Sequence, residues 1–375
     1  MILMSIRLGK LLGIPISVDI SWFVAFALIS YSLAQGYFPQ RNPEFSRSMA
    51  WLAGIIAALL LFAAVLLHEL MHSIVARRNG IAIGGINLFI FGGVSRMLDE
   101  PRTPEAELKM AIAGPATSIA LAIFFWMLIW FGGRQLLGEL GFEIVAYLAL
   151  INLVLGLFNL LPGFPLDGGR VLRAILWGSL NDMERATRIA SAVGQGFGYM
   201  FIFGGFLMMI FGQPLNGLWL VFIGWFLNNA AMQSYQQLAL KRALTGVGVS
   251  KVMTTDFPHV DADLSLDTFV HDYLLRYDYS AFPVTEGDNL LGIVTVAEVR
   301  DIPRERWHET LVKQIVKPVE EERVIDENDD AFEALMHMGE GNLNRLLVIH
   351  DGKLKGMVTQ DSIANLVRTK LQLGM

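Results

Sequence analysis

The sequence contains no cysteine in 375 residues. That absence excludes disulfides, thiol nucleophiles and thiolate zinc sites, and it gives no sign of an oxidising compartment. Charge is also scarce: 17% of residues are Asp, Glu, Lys or Arg, where soluble domains average about 25%. With 54% hydrophobic residues and a mean hydropathy of +0.48, a wholly soluble protein is disfavoured. No basic patch marks a nucleic-acid partner. Histidine is rare as well, and only His68 and His72 fall in the first 245 residues.

What charge there is divides unevenly. From residue 246 onward 23 acidic residues face 13 basic ones, a net of −10, whereas the first 245 residues hold 12 against 16, a net of +4. An apolar, slightly basic part followed by an acidic part reads as a membrane domain joined to a water-compatible one. Six segments are long and apolar enough to span a bilayer, roughly 16–36, 50–76, 106–131, 143–161, 193–212 and 215–235. Ile81 to Met97 is too short and too Gly-punctuated to cross, and its Gly92-Gly93 suggests a re-entrant β-hairpin. If the N-terminus is cytoplasmic, thirteen Lys and Arg lie on inner segments against three on outer loops. That bias puts the C-terminal domain in the cytoplasm too, for a multi-pass protein of the cell (inner) membrane.

The acidic part repeats itself. Ala281-Phe282-Pro283-Val284, a turn at Glu286 to Asn289, and Leu290 to Thr295 are followed by the same order at Leu346 to Ile349, Asp351 to Lys353, and Leu354 to Thr359. The pattern, with Gly-Ile-Val-Thr and Gly-Met-Val-Thr at the strand ends, resembles a tandem CBS pair, an α/β module used twice. The expected division is 1–240 for the membrane domain, 241–248 for a linker, and 249–304 and 305–375 for the two modules. Glu320 to Glu322 reads as a solvated surface run.

The chemistry concentrates in Leu67-His68-Glu69-Leu70-Met71-His72. Residues four apart share a helix face, so His68 and His72 can hold one metal ion, with Glu69 beside it as general base. A charged cluster inside a span is costly and marks a functional site; two packing histidines are the alternative. His68 lies 17 residues past Trp51, which at about 1.5 Å per residue is about 26 Å into a hydrocarbon core of about 30 Å. The site is then intramembrane but near the cytoplasm. A third ligand is wanted. Asp167 offers one, on an irregular turn after Pro162 and Pro165; its alternative role is to cap a helix starting at Gly168.

These motifs resemble those of the site-2 proteases, intramembrane zinc metalloproteases, in the subfamily that carries a CBS pair. The HExxH motif matches His68 to His72, and NxxPxPLDG matches Asn159 to Gly168. The resemblance implies one zinc per chain on His68, His72 and Asp167, Glu69 as base and proton shuttle, and Asn159 as a substrate-positioning or oxyanion-stabilising amide. It implies a transmembrane protein substrate within the lipid bilayer. The hairpin around Gly92-Gly93 offers a strand edge for the unwound substrate, with tight packing of a short linker as the alternative. CBS pairs suggest an adenosine nucleotide at Thr295, Glu298 and Thr359, although Ser362 stands where an acid is expected; the alternative is an architectural or homodimerising role. A CBS-regulated metal or ion transporter is the rival function.

Overall fold

Two strands, rather than a membrane helix, open the chain. The computed structural model describes residues 5–90, 92–277, 279, 281–287, 289–320, 323–341 and 343–372; Asp288 of the first acidic turn and Glu321 and Glu322 of the acidic run lie outside these. Two units divide the chain, Met1–Gln236 and Gln237–Met375.

In the first unit β1 (Ser5–Leu11) and β2 (Ile14–Asp19) pair antiparallel about a turn at Leu12 and Gly13, both at positive φ. The expectation of a span starting near residue 16 is corrected here. Ile14, Ile16 and Val18 are buried and alternate with Pro15 and Ser17, the period of a strand, which an averaged hydropathy does not register. Asp19 then caps α1 (Ile20–Ser32), its carboxylate accepting from the Ser21 N–H at 2.8 Å. The helix continues through a π-helical turn, Leu33–Tyr37, into α2 (Phe38–Arg41). After α3 (Arg47–Arg78), β3 (Ile83–Phe89) runs parallel to β2 and antiparallel to β4 (Gly92–Met97). The sheet order is β1-β2-β3-β4, which leaves β4 at an edge.

Helix α4 (Pro104–Asn159) has 56 residues, which at about 1.5 Å each is far longer than a bilayer core of about 30 Å. Its backbone leaves helical geometry at Gly133 and Gly138, where φ is +51° and +66°, a region glycine enters without steric cost. It is therefore two helices in succession. α5 (Asp167–Leu180), α6 (Met183–Ile210) and α7 (Pro214–Leu244) complete the set, and five of these helical stretches are long and apolar enough to cross a membrane. α6 and α7 approach at glycines: a Cβ on Gly205 would lie 2.5 Å from the Gly217 carbonyl, and one on Gly224 2.5 Å from that of Gly198.

The second unit is a six-stranded sheet in the order β5-β6-β7-β10-β9-β8. β5 (Val260–Asp261), β6 (Ala281–Glu286) and β7 (Asn289–Thr295) form one half, with helices α8 (Leu266–Phe269) and α9 (Val296–Arg300). β8 (Val324–Asp326), β9 (Arg345–His350) and β10 (Lys353–Thr359), with α10 (Ala331–Glu340) and α11 (Gln360–Gln372), form the other. The segment leading into each half packs with its sister: Leu244, Val249 and Val252 join the core of Leu346, Val348 and Val358, and Val312 joins that of Phe269 and Phe282. Residues 241–244, expected in a linker, are thus helical, and Leu244 is a core residue, because the apolar side chains of this stretch find cover there.

Candidate metal centre

Helix α3 carries His68, Glu69 and His72 inward, and both histidines are buried. Against them lies α4 at Gly114, where a Cβ would stand 2.1 Å from His72 Nε2 and 2.5 Å from His68 Nε2. Only glycine leaves room for the two rings. One turn on either side, Met110 and Ser118 fix those rings. The Met110 carbonyl lies 2.7 Å from His72 Nδ1 and Ser118 Oγ 2.9 Å from His68 Nδ1. A carbonyl only accepts, so His72 Nδ1 carries the proton and Nε2 keeps its lone pair.

Asp167 arrives from the third side. The chain between α4 and α5 folds back so tightly that Cβ atoms on Gly168 and Gly169 would lie 2.3 Å from backbone atoms of Leu161 and Phe164. Gly194 of α6 abuts the Phe164 carbonyl, and the Phe164 N–H donates to the Ala190 carbonyl at 3.2 Å. Asp167 is the first residue of α5 rather than part of the irregular turn, which ends at Leu166; nor does its side chain cap the helix. α5 is anchored by the Arg173 guanidinium, which donates to Glu107, a fully buried acid in the first turn of α4, and lies over the Phe164 ring.

The outcome is convergence. Asp167 Oδ2 stands 3.1 Å from each histidine Nε2, and the two nitrogens are 3.2 Å apart. Two imidazole nitrogens and a carboxylate oxygen thus meet at one point, a donor set suited to a cation. Ligands about 2.0–2.1 Å from a tetrahedral zinc stand about 3.3 Å from one another, so the spacing suits that ion. This is the one cluster of three or more such side chains found among the described residues.

Other expected residues are placed less centrally. Asn159 is half-buried at the last position of α4, and none of the hydrogen bonds of the His-His-Asp cluster reaches it. Glu69 has β4 against it: a Cβ on Gly93 would lie 2.6 Å from its Cγ. In the second unit, Thr295 and Glu298 form a capping box at the start of α9, and Glu298 also pairs with Lys317 at 2.7 Å. That lysine, together with the Thr295 hydroxyl, holds the Glu298 carboxyl down to about 2. Thr359 and Ser362 exchange equivalent caps on α11, with the Ser362 N–H donating to Thr359 Oγ1 at 3.1 Å. Ser118, Glu107 and Arg173 were not singled out by sequence reasoning; for Ser118 the signal is the spacing of four from Met110 through Gly114, which puts the three on one face of α4.

The chain is similar in sequence to known proteins over most of its length. Peptidase family M50 matches residues 56–144 and 140–204, and the CBS domain matches 249–305 and 312–369. A Synechocystis sp. protein whose name calls it a zinc metalloprotease is 35% identical over 368 residues, covering 97% of this chain and 96% of the relative. Zinc metalloprotease MJ0392 of Methanocaldococcus jannaschii is 31% identical over 359 residues, covering 96% and 95%. The solved site-2 protease from the same organism aligns at 32% identity over 62% of this chain and 95% of its own, with a TM-score of 0.43. Similarity at this level along nearly the whole length settles the family: the chain belongs to peptidase family M50, the site-2 proteases, as a zinc metalloprotease with a CBS pair.

Proposed function

We propose that His68, His72 and Asp167 hold one zinc ion per chain and that Glu69 is the catalytic base for hydrolysis of peptide bonds in membrane-embedded or membrane-proximal proteins. The observation that carries the reading is the meeting of two imidazole nitrogens and a carboxylate oxygen at 3.1 to 3.2 Å. Zinc supplies Lewis acidity to the scissile carbonyl. Glu69 takes the proton of the attacking water and returns it to the leaving amide nitrogen. Asn159 offers an amide donor to the developing oxyanion.

A helical substrate hides its peptide groups, so it unwinds before cleavage. The end strand β4 supplies main-chain partners to the extended segment, and the packing of Gly93 on Glu69 brings that strand beside the base. The transporter alternative is not favoured, since a transport path gives no role to an acid set between two ligands. Six crossings, with α4 contributing two, and a cytoplasmic N-terminus and CBS pair accord with the excess of inner Lys and Arg. At the CBS pair, whose modules we delimit near 249–304 and 305–375, we place an adenosine nucleotide on Thr295, Glu298 and Thr359, and a homodimer contact; nucleic acid has no place in this reading.

The test is Glu69→Gln assayed for metal and for cleavage of transmembrane substrates with and without chelator. The amide keeps the size and loses the proton acceptor, so zinc stays at one per chain while cleavage falls by about 10²-fold or more. Near-normal turnover in this variant would falsify the assignment of the base.

A further inference from the structure

Arg170 lies one turn beyond Asp167 on α5, at the i+3 position that shares its face. It is half-buried and within electrostatic reach of Glu69 and Asp167. Arg173, a further turn along, spends its donors on Glu107. The hydrogen bond that Arg170 makes is of another kind: its guanidinium meets the thioether sulfur of Met97 at 3.7 Å. A guanidinium has five N–H donors in a planar fork suited to carbonyl and carboxylate oxygens, and a thioether is a weak acceptor. Among the described residues, this cation beside the proposed metal centre keeps donors to give.

The neighbouring strand says to what. Alternate residues of β4 face the helices: Gly93 packs on Glu69, Ser95 Oγ lies 2.8 Å from Ser73 Oγ on α3, and Met97 meets Arg170. β4 therefore runs from the base to Arg170, four residues or about 13 Å along, and it is the end strand of the sheet order. A polypeptide segment added to that strand presents carbonyl oxygens along this line. We propose that Arg170 donates to a main-chain carbonyl of the bound substrate segment and so positions the scissile peptide against Glu69. The inference rests on the reading of Glu69 and the His-His-Asp cluster given above.

The experiment uses full-length, zinc-loaded protein in detergent, with fluorescein-labelled casein as an unfolded polypeptide probe. Binding is read by anisotropy in the cleavage-inactive Glu69→Gln protein, with and without Arg170→Gln; KM and kcat are read in the active protein carrying Arg170→Gln or Arg170→Lys. A charged hydrogen bond lost from the bound state weakens binding by about tenfold or more. The expected result is that loss in both Kd and KM, with zinc content and thermal midpoint unchanged and partial recovery by lysine, which keeps the charge but not the fork. Unchanged probe binding, or a fall in kcat at constant KM, overturns the proposal. Full turnover by the Glu69→Gln protein would instead remove the catalytic reading beneath it, so the two failures are distinguishable.

Discussion

At the residue scale two glycines touch different parts of the proposed centre. Gly114 lies on the imidazole nitrogens and Gly93 on the Glu69 side chain. Gly114→Ala puts a methyl group where both histidine Nε2 atoms stand, so one ring must turn away. We expect zinc content to fall at least tenfold by elemental analysis, with cleavage lost in proportion. Gly93→Ala pushes on Glu69 and leaves the histidines alone; zinc should stay near one per chain while kcat falls. Equal zinc loss in both variants would contradict that division. The clustering of His68, His72 and Asp167 was legible in sequence because HExxH is local, and because a carboxylate at membrane depth needs a partner. The Glu107–Arg173 pair was not legible, since it joins residues 66 positions apart that no short motif links.

At the element scale the same limit recurs. The alternation of Ile14, Ile16 and Val18 is a strand signal only when read at period two, so β2 was absorbed into the first span. The doubled helix-strand-turn-strand order was plain, but the exchange of lead-in segments between the two halves was not. It explains the repeated glycines: a Cβ on Gly292 would lie 2.1 Å from the Lys317 carbonyl, and one on Gly356 3.0 Å from that of Thr254. Each glycine admits the backbone of a crossing segment. Gly292→Ala should therefore destabilise the second unit by about 1–3 kcal/mol, read as a lower thermal midpoint, while zinc content holds. The Glu298–Lys317 pair belongs here too. Glu298 is held at about 2, so its contribution is complete above the ordinary carboxylate pKa and fades as pH falls toward 2. Glu298→Gln keeps a capping side chain and loses the charge. It should cost about 0.5–1 kcal/mol at pH 7, and the gap in thermal midpoint from wild type should begin to close below pH about 4.5.

For the whole molecule, a membrane protease joined to a CBS pair raises the matter of regulation. Any ligand that controls cleavage through that pair must bind two arrangements of the protein with different affinity, and such coupling is typically about 1–3 kcal/mol. The Thr–Glu pair at 295 and 298 and the Thr–Ser pair at 359 and 362 stand at equivalent strand ends, yet both serve as helix caps. A nucleotide gripping Glu298 through its ribose hydroxyls must therefore displace either the Lys317 amine or the Thr295 cap, and that cost tells against tight binding. We expect calorimetric titration of the full-length protein with ATP, ADP and AMP to give weak association for at least one of them, lessened by Glu298→Gln. Cleavage at saturation should then change by about 5- to 150-fold, the range that coupling of this size allows. No binding at millimolar nucleotide would leave the pair a structural or dimerising element; binding unaffected by Glu298→Gln would move the ligand away from that end of the sheet.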